Sequence, residues 1–406
     1  MHCGLLGKTL GHSYSPQIHR LLAGYSYTLF EKQPDELAAF LTSGDFDGLN
    51  VTIPYKKAVL PFCAAQSEAV RAIGSANTLV RQKDGTLFAD NTDAFGFSCI
   101  VDQCGVSVTG KKALVFGSGG ASLTAQYVLK TRGAREVLVI SRSGENNYEN
   151  LAKHADAQIL VNTTPLGMYP NNGASPVDLT KFPHAEAVLD VVYNPARTAL
   201  LLQAEQLGLP HAGGLLMLVA QAKRSCELFT GTAIPDARIG EIYRTLSVQM
   251  QNLVLIGMPG CGKSSIGTLL AQTLCRPFAD ADAQIEQAAG MSIPDYFKQY
   301  GEAAFRDLES RVLADLGKRS GLVLATGGGA VLREENYAAL HQNGTIFWLT
   351  RDLSRLPIDG RPVSQSTSLD ALYAARRPRY ARFADHTIDN NAAPEQTVAA
   401  ILEALT

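Results

Sequence analysis

Gly257-Met-Pro-Gly260-Cys-Gly262-Lys263-Ser264 fits the spacing G-x-x-x-x-G-K-[ST], and that spacing binds phosphate. Glycines at these positions let backbone N–H groups curl around phosphate oxygens, and a following helix N-terminus adds its positive dipole end. Lys263 would reach the outer phosphates, and Ser264 would hold magnesium. Downstream, Asp280 and Asp282 stand at i, i+2 after an apolar edge. Either one serves magnesium and the other a nucleophile, or they form a capped helix start. Arg306 and Glu309 fall at i, i+3 in a helical stretch and could pair, holding the guanidinium in place. Gly327-Gly328-Gly329 would let a ligand approach bare backbone. Arg361 sits in a polar G-R-P loop. Arg376, Arg377 and Arg379 form a basic patch that suits a phosphate or carboxylate, with a solvated cluster as the plain alternative.

A second set precedes this one. Ser13 and Ser15 flank the start of a helix with Pro16 in its first turn. They suit a small oxygen-rich ligand, or Ser15 is a plain N-cap. Thr52 and Lys56 follow a strand end, where ligands gather in α/β sheets, although a solvated lysine has the same look. Asn77 and the run Asp90-Asn91-Thr92-Asp93 place amide and carboxylate groups in loops, where turn chemistry alone would also put them. Gly117-Ser-Gly119-Gly120-Ala121-Ser122 is close to G-x-G-x-x-[GA], a dinucleotide turn. The next strand ends in Ser141-Arg142 rather than an acid, which favours a ribose 2′-phosphate and hence NADP.

The elements that must carry these groups alternate. Lys112–Phe116 and Glu136–Ile140 read as strands, with a helix over Ala121–Thr131 between them. Leu253–Ile256 is a short apolar run like a buried parallel strand, and Ser264–Leu274 has helical spacing (Ile266, Leu269, Leu270, Leu274). Asn162-Thr-Thr-Pro165-Leu-Gly167-Met168 and Asp190-Val-Val-Tyr193-Asn-Pro195 read as strand ends facing a cofactor cleft. Helical spacing runs through Leu215–Phe229 and Asp236–Leu246, and Ser247–Asn252 then separates the second helix from the next strand.

The 406 residues suggest two or three domains, at roughly 150 residues each. Hydrophobic residues make up 46% and charged residues 18%, as in a soluble globular protein. A net charge of −2 offers no basic field for nucleic acid or an anionic membrane. No apolar run is long enough to span a membrane, and the N-terminus has no signal-peptide pattern. The seven scattered cysteines form no C-x-x-C pair, so a reducing cytoplasm is expected.

The first half resembles shikimate dehydrogenase. The motifs S-x-S-P, N-V-T-x-P-x-K, A-N-T, D-N-T-D, G-x-G-G-A, N-x-T-P-x-G-M, D-x-x-Y-x-P and Met217-Leu-Val-Ala-Gln221-Ala222 occur in that family's order. The resemblance implies NADPH-dependent reduction of 3-dehydroshikimate, with Lys56 as the catalytic lysine and Asp93 as its partner. It assigns the substrate to Ser13, Ser15, Thr52, Asn77, Tyr193 and Gln221. It assigns NADP to Gly117, Gly119, Gly120, Ala121, Ser141 and Arg142, with Met217 near the nicotinamide. The stretch from Ser143 to Asn162 is about half the usual length in the family, so one strand–helix unit should be reduced, and Leu216 replaces a frequent glycine.

The second half resembles shikimate kinase. The phosphate loop, D-x-D, G-E-x-x-F-R-x-x-E, G-G-G, R-P and R-x-x-x-Y stand in that family's order. The resemblance implies ATP binding by Gly260, Gly262, Lys263, Ser264, Ser265 and Arg361, and Mg2+ on Ser264 and Asp280. Asp282 would hold the substrate hydroxyls and take the proton of the attacking one. The substrate carboxylate would lie between Arg306 and Arg376, and Gly327–Gly329 would line the pocket. The lid, about Leu353–Leu369, is short.

The expectation is therefore a bifunctional α/β chain. Residues 1–247 would be a two-domain dehydrogenase, with 1–100 and 212–247 as the substrate domain and 101–211 as a Rossmann-like NADP domain. Residues 248–406 would be a P-loop kinase domain of the nucleoside monophosphate kinase type. Its partners would be small molecules, not nucleic acid or membrane, and its oligomeric state is left open. Alternatives are a first half acting on quinate, and a half that senses ligand without turnover.

Overall fold

The computed structural model describes residues 1–11, 13–356 and 368–405. The chain divides into two compact units, Met1–Thr245 and Leu246–Thr406.

The first unit holds two sheets. One has six strands, in the spatial order Ser26–Glu31, His2–Gly7, Gly48–Val51, Thr78–Arg81, Leu87–Asp90, Ala65–Gln66. It is mixed: Thr78–Arg81 runs antiparallel to both its neighbours. Its core packs Leu6, Leu49, Val51, Leu79 and Ala89. The other sheet is wholly parallel, in the order His211–Ala212, Ala187–Asp190, Ile159–Asn162, Lys112–Phe116, Glu136–Ile140. Lys112–Phe116 is buried at every position, as a strand covered on both faces must be. Its side chains alternate between cores: Ala113 and Val115 face one, Leu114 and Phe116 the other. The strand order reverses at Lys112–Phe116, and a crevice at the carboxyl ends of strands opens at such a point.

Between Glu136–Ile140 and Ile159–Asn162 the chain forms only a short 3-10 helix, Leu151–His154. The reduction expected from the short Ser143–Asn162 spacing is therefore present. Helix Asp93–Cys104 packs on helix Leu215–Thr230 at Gly96, where a Cβ would lie 2.6 Å from the Met217 carbonyl oxygen. The bare glycine brings the two helices together.

The second unit is a five-stranded parallel sheet, in the order Phe278–Asp280, Val323–Ala325, Asn252–Ile256, Gly344–Thr350, His386–Asp389. The first strand in sequence, Asn252–Ile256, lies at the centre and is wholly buried. Its carboxyl end leads into the glycine loop and then the helix Lys263–Leu274.

Two local expectations, at Ser15 and at Ser247–Met250, need correcting. Ser15 is the first helical residue, not the cap: Tyr14 holds the cap position without a side-chain bond. The helix read as ending at Leu246 continues to Met250, so Ser247–Met250 is helical and not a separating loop. The helix around Arg306 spans Ile293–Gly317 but is broken at Gly301, with φ 81° and ψ 175°. Among the described residues, no helix is long and apolar enough to cross a membrane, and all seven cysteines are free thiols.

Candidate active site

In the first unit a cavity of about 300 Å³ opens between the two sheets. Its walls hold Ser13, Ser15, Thr52, Lys56, Asn77, Asp93, Ala121, Tyr193, Met217 and Gln221. The Lys56 ammonium lies 2.5 Å from Asp93 Oδ2, with the two side chains 25% and 14% exposed. Asp93 opens its helix, and its Oδ1 accepts from Asn77 Nδ2 at 2.9 Å. Asn77 Oδ1 in turn accepts the backbone N–H of Thr92 at 2.7 Å. A backbone N–H can only donate, so the amide nitrogen must face the carboxylate. Ser13 Oγ accepts the Ser15 N–H at 3.2 Å, which ties the start of the helix to the serine turn. Tyr193 meets Tyr14 edge to face at 6.0 Å, and burial raises the pKa of its phenol. The ammonium, carboxylate and hydroxyls all line one half-enclosed space. Such a space fits a small polyhydroxylated ring and can deliver a proton from Lys56 Nζ to an oxygen bound there.

The glycine turn after Lys112–Phe116 lies at the same strand ends. Gly117 has φ 105°, which disfavours any side chain, and a Cβ there would crowd Thr163 Oγ1 at 2.9 Å. Gly119 and Gly120 face open space at the N-terminus of helix Gly120–Thr131. Bare backbone of this kind can take a pyrophosphate. Ser141 and Arg142 follow the end of Glu136–Ile140, and Arg142 is exposed. They stand outside the walls of the cavity, whereas Ala121 and Met217 are among its walls.

The second unit gathers the other set. Gly257, Gly260 and Gly262 have φ of 145°, 81° and 99°, so each needs glycine. Lys263 is buried, and its ammonium donates to the Gly257 and Met258 carbonyls at 2.9 and 3.0 Å. Asp280 takes the capping role weighed for it and also bonds Ser264. Its Oδ1 caps the helix Ala281–Ala289 at the Asp282 N–H, 3.0 Å away, while its Oδ2 accepts from Ser264 Oγ at 2.5 Å. Ser265 is exposed on the same turn as Ser264.

Asp282 is exposed, and its Oδ1 lies 2.7 Å from where a Cβ on Gly327 would stand. Glu309 Oε1 borders that same point at 3.0 Å. Arg306 donates to Glu309 Oε2 at 2.7 Å and to Glu302 Oε1 at 3.2 Å. Burial raises the Glu309 pKa, and the Arg306 charge opposes that shift. Arg306 Nε is buried without a hydrogen-bond partner. Arg376 Nη1 and Tyr380 Oη donate to the Gly328 carbonyl at 3.0 and 2.6 Å. The triple glycine is thus bordered by two carboxylates at Gly327 and by two buried guanidinium groups at Gly328 and Gly329, a pocket suited to a hydroxylated carboxylate. Arg361 and most of the expected lid lie outside the described residues.

Several supporting residues escaped the sequence reading. Asn390 Nδ2 donates to the Cys261 carbonyl at 2.6 Å, and Thr397 fixes the other end of that amide at 2.8 Å. This braces the phosphate loop from the far strand, and no local pattern marks it. Thr92 and Ser225 lie behind the first cavity, and Asn50, known from the sequence only as part of the N-V-T motif, is one of its walls. Ser225 had one faint signal, its position one helical turn after Gln221.

Comparison with known proteins agrees with this division. The shikimate dehydrogenase substrate binding domain model matches residues 5–79, and the shikimate kinase model matches residues 259–406. A shikimate dehydrogenase (NADP(+)) from Caldicellulosiruptor bescii is 39% identical over 246 residues, covering 54% of this chain and 85% of the relative. A chorismate mutase/shikimate 5-dehydrogenase fusion protein from Clostridium acetobutylicum is similar with TM-score 0.57 and 33% identity, covering 60% of this chain and 96% of that one. Shikimate 5-dehydrogenase from Thermus thermophilus, solved in complex with NADP(H) and shikimate, gives TM-score 0.55 and 31% identity over 60% of this chain and 99% of its own. The chain therefore belongs to the shikimate dehydrogenase family through its first unit and carries a shikimate kinase domain in its second, which makes it a bifunctional enzyme of the shikimate pathway.

Proposed function

We propose that the first unit reduces 3-dehydroshikimate to shikimate with NADPH, and that the second phosphorylates shikimate at its 3-hydroxyl with Mg-ATP. One observation carries the reading: Lys56 and Asp93 meet at 2.5 Å in a cavity whose walls hold every residue assigned to the first substrate. Bound NADPH supplies the hydride, and bound Mg-ATP supplies the phosphoryl group.

The chain's own residues do the rest. Ser13, Ser15, Thr52, Asn77, Tyr193 and Gln221 hold the ring through its hydroxyls and carboxylate. Lys56 Nζ donates to the reacting oxygen as negative charge develops there, and Asp93 keeps the ammonium aimed at it. Gly117, Gly119, Gly120 and Ala121 fit a dinucleotide pyrophosphate, since the cradle is open backbone at a helix N-terminus. Ser141 and Arg142 would hold the ribose 2′-phosphate.

In the second unit Arg306 and Arg376 hold the substrate carboxylate. Asp282 orients the attacking hydroxyl and accepts its proton at a carboxylate oxygen. The backbone of Gly260 and Gly262, together with Lys263, Ser265 and Arg361, holds the nucleotide phosphates. Ser264 and Asp280 fit magnesium: they are adjacent hard oxygen donors. Two donors plus phosphate oxygens is how magnesium is usually held. Residues 1–247 and 248–406 are the proposed limits of the two enzymes, and a cytoplasmic site of action suits both.

A coupled assay tests the reading, following NADPH oxidation and ADP release with 3-dehydroshikimate, NADPH and Mg-ATP present. The reading expects ADP only when the ketone is reduced. ADP formed only on adding shikimate would remove the reductase, and silence from both activities in a ligand-binding sample would favour the sensor.

A further inference from the structure

Behind the Lys56/Asp93 pair lies a buried polar cluster centred on Ser225, a residue that no assigned role uses and that stands outside the cavity walls. Ser225 is fully buried on helix Leu215–Thr230, one turn after Gln221. Its Oγ accepts from Asn50 Nδ2 at 2.7 Å and donates to the Gln221 carbonyl at 2.9 Å. It also lies 3.0 Å from Thr78 Oγ1 and 3.0 Å from Thr92 Oγ1. The two threonine hydroxyls are 3.1 Å apart and 3.1 and 3.2 Å from Asn77 Oδ1. Asn50 Oδ1 accepts from the Tyr27 hydroxyl at 2.8 Å, which satisfies the oxygen of the amide whose nitrogen donates to Ser225.

Of the partners of Ser225, Asn50 and Gln221 are themselves cavity walls, and Thr78 and Thr92 are chain neighbours of wall residues. Thr78 adjoins Asn77, Thr92 adjoins Asp93, Asn50 lies two residues before Thr52, and Gln221 carries the accepting carbonyl. A single hydroxyl therefore ties one helix, two strands and the start of a second helix at the back of the site. Buried amides and hydroxyls bond strongly and are costly to leave unmade, so such a knot fixes position.

We infer that Ser225 is a positioning residue of the reductase. Through Thr78 and Thr92 it holds the Asn77 amide against Asp93, and through Asn50 and Gln221 it sets the width of the substrate cavity. Ser225 touches neither substrate nor cofactor. This rests on the reductase reading above.

The test uses the full chain and compares Ser225→Ala, Ser225→Thr and Ser225→Val, with rates counted per NADPH-binding site. Thr and Val have the same shape, so their difference isolates the hydroxyl. Ser225→Ala and Ser225→Val should lower the reductase kcat about tenfold and raise KM for 3-dehydroshikimate severalfold. KM for NADPH and the shikimate kinase rate should stay unchanged, and Ser225→Thr should recover most of the loss. Thr78→Val removes a different hydroxyl of the same cluster and should reproduce the kcat loss. Wild-type kcat and KM in Ser225→Ala would overturn the inference, as would equal losses in the Thr and Val variants, which would show packing alone. A wild-type chain that does not reduce 3-dehydroshikimate would instead overturn the reductase reading beneath it.

Discussion

Gly329→Ala should damage shikimate binding in the kinase unit through a single side chain. Gly329 has φ −99° and ψ −1°, the conformation of the third residue of a type I turn, which alanine can adopt at small backbone cost. The added methyl is another matter: its Cβ would stand 2.2 Å from Arg306 Nη1 and 2.6 Å from Cζ. Ordinary contact needs roughly 3.5 Å, so the guanidinium must retreat by about 1 Å. Arg306 is only 8% exposed and its Nη1 sits 2.7 Å from Glu309 Oε2. A retreat of that size lengthens this bond beyond hydrogen-bond range. Glu309, 1% exposed, then loses its charge partner. Breaking a buried pair costs about 3–5 kcal/mol. Some of that cost is relieved because Glu309, whose pKa burial already raises, can take up a proton. The misplaced guanidinium also weakens its grip on the substrate carboxylate. A charge-assisted hydrogen bond is worth about 1.5–3 kcal/mol, or roughly 10–100-fold in affinity. The assay is steady-state kinase kinetics on the intact chain, with shikimate varied at saturating Mg-ATP. KM for shikimate should rise by that factor, KM for ATP should hold, and reductase activity in the same sample should match wild type. A shikimate KM within twofold of wild type would refute the reasoning, because either Arg306 does not hold the carboxylate or the triple glycine shifts to make room.

Lys56→Ala should abolish reduction while leaving phosphorylation intact; loss of both in a folded variant would break the two-site model. Asp282→Asn should stop phosphoryl transfer alone, by several orders of magnitude in kcat, and an unchanged kinase rate would remove the role given to Asp282. His19 gives a pH prediction. It is 1% exposed and stacked on Tyr27 at 4.1 Å, and burial pushes its pKa down to about 3. Because the folded-state value is depressed, its contribution is present above pH 6.5 and is lost as pH falls through about 3. His19→Phe keeps a ring and removes the titration. Urea unfolding between pH 7 and 4 should therefore show a shallower loss of stability in the variant, and parallel slopes would count against the assignment.

The parts of this molecule visible in its sequence are those in which neighbours in the chain act together. Lys112–Phe116 and Leu253–Ile256 were legible because a strand covered on both faces reads as a near-continuous apolar run. The phosphate loop was legible because consecutive backbone N–H groups must point one way, which fixes Gly257, Gly260 and Gly262 in sequence. Helix ends were less so. Ser15 has the residue type of a cap, yet Tyr14 takes that position, and Ser247–Met250 continues a helix although its residues read as a break. Propensity at a boundary is worth a fraction of a kcal/mol, and tertiary packing overrides it.

Long-range polar contacts were beyond reach for a different reason: hydrogen bonding leaves no periodicity. Asn162 and Asp190 show this. They open the two polar turns that read as strand ends facing a cofactor cleft. In the fold both are fully buried, and Asn162 Nδ2 donates to Asp190 Oδ1 at 3.0 Å. Asp190 also accepts from the Val192 N–H at 2.9 Å and Thr198 Oγ1 at 2.7 Å, and burial raises its pKa to about 6. Its work is to hold two parallel strand ends together so that Tyr193, three residues on, reaches the cavity wall. The same logic places Thr78 and Thr92 beside Asn77 and Asp93. In each case one polar residue anchors the backbone, and a near neighbour in the chain lines the cavity. A polar motif at a strand end therefore marks where a site is built, while the division between anchor and contact is settled only by which side chain the opposite strand or helix can pair with.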